Sequence, residues 1–405
     1  MNSIIKTFRL TVVLCICSFL LGVFVFSVVR TYQSSVNASA FADMIIATCA
    51  SRSYKPACYD EEIPKLMKRP YYFSMEKVFE VTSYIQKKDP SYLYCHVLGH
   101  RIAENEVERN PDSWKEVVAR CPTTMCNNGC AHGALMKRFQ SEYLTDKEID
   151  AIKNDLLTVC EPRGSFHPAF VERSMCYHSL GHLFMYITRA DMEKSVTLCA
   201  MVGSHGEDGT YTQTCTEGVF MSVYQPLEPE DIALIKGIAP LSKTDSVKFC
   251  HTFTNEIRDA CMRESWPLWG ESVVKPEGLL SFCQMNEGFL PQKRCVGTVM
   301  NFVTVRLIID NKLSLGEFER YCTELPDPWG AECFARGAGR LVQIDPVFIG
   351  LSLDLCDLAE NKGEGDACFE EMLSVKTHNF SVTHPAPETF CVRFPQRFKS
   401  RCEKL

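Results

Sequence analysis

Beyond residue 40 the apolar positions recur mostly at helical spacing, and the clearest runs each open on a cysteine. These are CTEGVFMSVY from Cys215, CVGTVMNFV from Cys295, CFARGAGRLV from Cys333 and CFEEMLSV from Cys368. Each is preceded by a second cysteine that follows an apolar or aromatic residue at the end of another helical segment. The first members of these pairs are Cys160, Cys199, Cys250, Cys283, Cys322, Cys356 and Cys391, and the second members are Cys176, Cys215, Cys261, Cys295, Cys333, Cys368 and Cys402. Separation within a pair is 16 residues in the first two and 11 or 12 in the last five. Successive first members lie 33 to 51 residues apart, the range of helix-pair repeats. The pattern predicts a unit in which one helix ends at a cysteine, a variable loop follows, and a second helix starts at its disulfide partner.

Closing such a loop contributes roughly 3 kcal/mol in the chain-entropy model, which helps a helix pair that cannot bury its apolar face alone. Nearer the N-terminus the rhythm loosens. Cys49 and Cys58 form a short pair, Cys121 and Cys130 repeat its spacing, and Cys95 and Cys126 are left to join each other. Residues 226–244, with Pro226, Pro229 and Pro240, read as an insertion that accounts for the longest interval.

Helix pairs with one disulfide each resemble the cysteine-rich branch of the Sel-one-like repeats, relatives of the tetratricopeptide repeats. The resemblance runs from Cys160 to Cys402 and rests on CTEGVFMSVY, CVGTVMNFV and CFARGAGRLV. The cysteine spacing is longer here, and the regular alanine and glycine pattern of that group is mostly missing. The resemblance implies a superhelical scaffold that binds other proteins, and it carries no catalytic residues across. The expected fold is all-α, a right-handed superhelix of disulfide-stapled helix pairs behind one N-terminal transmembrane helix.

That helix is expected at Leu10–Val29, an uncharged apolar run of twenty residues, long enough to cross a bilayer. Lys6 and Arg9 before it keep residues 1–9 cytoplasmic. An Ala38-Ser39-Ala40 cleavage pattern lies well past the run, so an uncleaved anchor is favoured over a removed signal. Residues 30–40 then form a linker, 41–225 the N-terminal repeats and 245–405 the C-terminal repeats.

Of 22 cysteines, Cys15 and Cys17 fall in the anchor and an even twenty remain, which fits disulfides in a periplasmic, lumenal or extracellular compartment. A formal charge of −7 leaves no basic footprint for nucleic acid.

Candidate chemistry lies in the histidines. His96 and His100 in CHVLGH, and His178 and His182 in CYHSLGH, stand four residues apart, on one helix face. His132 follows Cys130 in CNNGCAHG. All five are expected in the first turns of three successive second helices, where neutral imidazoles can converge on zinc, copper or iron. Glu104 and Glu217 are the nearest candidate carboxylates. Against this stands a plainer reading, in which HxxGH was copied with its repeat and binds nothing. His167, His205, His251, His378 and His384 fall in or beside loops and suggest no site.

No hydrolase, nucleotide-binding or metalloprotease motif is present. Two functions stay open: a scaffold that binds a protein partner on its repeat surface, with Trp266 and Trp269 as candidate anchors, or a metalloenzyme of oxidase or hydrolase type built on the histidine cluster.

Overall fold

The computed structural model describes residues 37–405 apart from 90, 93, 123–124, 140–142, 205–210, 227–228, 239, 241, 254, 286–291 and 382–384. The expected anchor Leu10–Val29, the segment before it, His205 and His384 lie outside the described residues. Among the described residues no helix is long and apolar enough to cross a membrane. Their regular structure is helical throughout, with only one isolated bridge, between Arg163 and Phe166.

Eight helices form a continuous row: α1 His96–Arg109, α2 Gly129–Phe139, α3 Phe170–Ile187, α4 Tyr211–Tyr224, α5 Asn255–Glu264, α6 Gln292–Thr304, α7 Trp329–Ile344 and α8 Gly365–Asn379. Each packs on the next in chain order. Helices such as Met192–Gly203, Gly316–Glu324 and Ile349–Asn361 carry the first cysteine of a pair and pack against their partner in the row.

Ten disulfides pair every cysteine from Cys49 onward, with Cα atoms 4.6–5.7 Å apart. The seven regular pairs join as the spacing predicts, and Cys95 joins Cys126 across the start of α1 and the turn before α2.

The helix boundaries differ from expectation. The row helices that bear the regular cysteines begin before the second cysteine, not at it: α3 starts at Phe170, ahead of Cys176, α4 at Tyr211, ahead of Cys215, and α7 at Trp329, ahead of Cys333. In α3 the cause is local, since Glu172 accepts a hydrogen bond from the Ala169 N–H at 2.5 Å and closes the helix start there. Many of the disulfides therefore brace helix walls a turn or so inside their ends.

Two large apolar cores run from Ala38 to Ile235 and from Trp269 to Cys402, with a small cluster around Phe220, Cys250 and Cys261 between them. Late helices also return to early ones. α8 packs on α3, where the Phe170 and His378 rings lie 5.5 Å apart, and α7 packs on the turn Met125–Asn128.

The expected surface anchors are corrected here. Trp269 is buried in the second core and Trp266 stacks on Phe302 at 3.9 Å, because the Trp266–Trp269 turn folds under the following helices.

Candidate metal centre

The histidines meet. His96 opens α1 and His100 lies one turn on, with their Nε2 atoms 3.0 Å apart. His178 and His182 repeat this on α3, with Nε2 atoms 3.2 Å apart. Contrary to expectation, this second pair sits in the middle of its helix, because α3 starts so early. His132 on α2 joins the two pairs: its ring lies 4.3 Å from that of His100 and 4.5 Å from that of His182. The five imidazoles thus form one unbroken chain of ring contacts.

Glycine makes the approach close enough. A Cβ on Gly129 would overlap the His96 carbonyl, and one on Gly218 would overlap the His178 carbonyl. The helix pairs α1–α2 and α3–α4 pack backbone against backbone at these points, which brings side chains of the next turn within reach of each other.

Four of the rings are held neutral. Burial pushes His96 down to about 3, helped by His100. Burial also takes His132 and His182 well below the ordinary histidine value, again with help from neighbouring imidazoles. His178 is lowered by burial and by the Arg340 guanidinium of α7, against the opposing pull of Glu217.

Their partners also fix which nitrogen carries the proton. The Asn127 carbonyl, 3.2 Å from His96 Nδ1, can only accept, so that nitrogen is the donor and Nε2 keeps its lone pair. Two ligands on a tetrahedral ion at 2.0–2.1 Å stand about 3.3 Å apart. The spacing of the paired Nε2 atoms is close to this. His96, His100 and His132 place one ring nitrogen each within 4.8 Å of one another, a set able to close on one ion.

No protein-family model, curated protein or solved structure matches the chain.

Around the cluster, Tyr94 stacks on His96 with ring centroids 6.1 Å apart and keeps 44% of its surface exposed. Glu217 is paired with Arg263, whose neighbour Glu264 accepts from Gln225 at 2.9 Å. Burial and the facing Glu217 push Glu264 up to about 8. Glu104, one turn after His100, also lines a shallow surface groove with Asp60, Lys65 and Arg101.

Sequence reasoning missed Met221, whose Sδ lies 3.2 Å from His178 Nε2, and Ser222, whose Oγ lies 2.8 Å from His182 Nδ1. Both sit inside CTEGVFMSVY, quoted above only for its apolar rhythm.

Proposed function

We propose that the protein is a membrane-anchored, extracytoplasmic helical-repeat scaffold that carries a histidine-ligated transition-metal centre and offers its repeat surface to a protein partner. The observation that carries the metal is the convergence of His96, His100 and His132, all buried, with His96 oriented by a backbone acceptor as metal-bound histidines usually are. Uncharged imidazole donors suit zinc, copper or iron. The ten disulfides and the apolar run Leu10–Val29 support the compartment and the anchor. The stapled helix pairs support kinship with the Sel-one-like repeats and, with it, a right-handed superhelix.

Elemental analysis of the purified full chain, followed by zinc and copper titration with the disulfides intact, tests the metal. We expect stoichiometric binding that falls sharply in His100→Leu and His132→Leu. A wild-type chain that takes up neither ion overturns the reading.

A metalloenzyme is the second reading, favoured by Tyr94, a partly exposed residue that stacks on His96 and sets the centre near the surface. Its mark would be an open coordination position: added azide would shift the spectrum of the copper- or cobalt-loaded chain. A metal serving only structure would leave that spectrum unchanged.

A further inference from the structure

The helix pairs α1–α2 and α3–α4 are two copies of one packing motif. In each, the first helix carries HxxGH and the second presses a glycine on the carbonyl of the leading histidine, Gly129 on His96 and Gly218 on His178. Setting Gly129 on Gly218 places Gly133 on Ser222 and His132 on Met221. The contacts agree with this register. His132 packs on the first histidine pair, and Met221 Sδ lies 3.2 Å from His178 Nε2 in the second. The third imidazole of the first copy is a thioether in the second.

We propose that His178, His182 and Met221 form a second metal site, with two nitrogens and one thioether, that takes copper(I) beside the three-histidine site. This rests on the reading that the neighbouring imidazoles bind a metal.

A methionine on an apolar helix is core filler by default, but here its sulfur and the His182 lone pair both face His178 Nε2. Ser222 Oγ donates its own hydrogen to the Gly218 carbonyl at 3.1 Å, so at 2.8 Å it accepts from His182 Nδ1. The neutral His182 ring then has a bare Nε2. His178 Nε2 faces both His182 Nε2 and Met221 Sδ, each at 3.2 Å. The bare His182 Nε2 and the Met221 sulfur both stand at the spacing of ligand atoms from His178 Nε2, which completes the set once the His178 proton sits on Nδ1. A thioether selects a soft ion, and copper(I) is the common soft ion that imidazole and thioether share. Its single charge is also easier to bury among neutral donors than a divalent ion.

The test loads the full chain, disulfides intact, with copper(I) as its acetonitrile complex under anaerobic conditions, competed against bathocuproine disulfonate. We expect two copper ions per chain and one sulfur scatterer per pair in copper X-ray absorption. Met221→Leu loses one ion and the sulfur signal while zinc uptake at the three-histidine site persists. Met221→His regains the second ion with nitrogen ligands alone and gives the second site zinc affinity, so the proposal does not depend on the leucine variant folding.

Two copper ions and an unchanged sulfur signal in Met221→Leu overturn it. So does a wild-type chain that holds one ion on nitrogen alone and loses it in His132→Leu, although the three-histidine reading then stands. A wild-type chain that binds neither copper nor zinc removes both.

Discussion

Glu264 shows how strongly this interior acts on a single carboxyl. It is buried between Gln225, which donates to it, Glu217, which repels its charge, and Arg263, which favours it. Burial is the largest influence and holds it near 8, above the ordinary 4.5. The folded chain therefore keeps a proton there that the unfolded chain gives up. The contribution of this group to stability is intact below about pH 4.5 and declines as pH rises toward 8, by up to about 4 kcal/mol. Urea unfolding at pH 5 and pH 8.5 should show the loss in the wild type and a smaller one in Glu264→Gln. Equal pH dependence in the two would show that water reaches the carboxyl.

The five histidines were legible in the sequence as a group, because HxxGH sets both rings on one helix face wherever the helix begins. Met221 was not, since a methionine in an apolar run has the same signature as packing.

The helix contacts depend on where glycine stands. Gly218 lies against the His178 carbonyl, whereas a Cβ on Gly350 would meet nothing within 4 Å. Alanine at 218 should force α3 and α4 apart and cost about 1–3 kcal/mol, as overpacked sites do. Alanine at 350 should be neutral or stabilising by up to about 1 kcal/mol, through helix propensity alone. Thermal unfolding of the two variants checks the contrast, and similar melting points would mean that the α3–α4 approach is not tight.

The disulfide ladder was read correctly from spacing because a fixed loop length between helix segments leaves few partners within reach. The helix starts were misplaced because capping, such as Glu172 on the Ala169 N–H, acts several residues ahead of the cysteine. Replacing Cys160 and Cys176 together by serine should lower stability by roughly 3 kcal/mol. It should also loosen α3, so metal uptake in the double variant should weaken along with its melting point.

The molecule as a whole differs from what a list of repeats suggests, because contacts between distant repeats leave no period in the sequence. The return of α8 to α3 is one such departure. A linear array sheds its terminal units first, since each end lacks one neighbour and opens at little cost. Here the last helix of the row leans on the helix that bears His178 and His182, so α8 is not free to fray on its own. Backbone amides of α8 should exchange with solvent about as slowly as those of α3, and ending the chain before Gly365 should quicken exchange in α3, almost two hundred residues away. Fast exchange confined to α8 in the intact chain would mean that the contact opens freely. If it holds, α8 guards the histidines against local opening, and under the proposed reading its loss would be felt first as weaker metal retention.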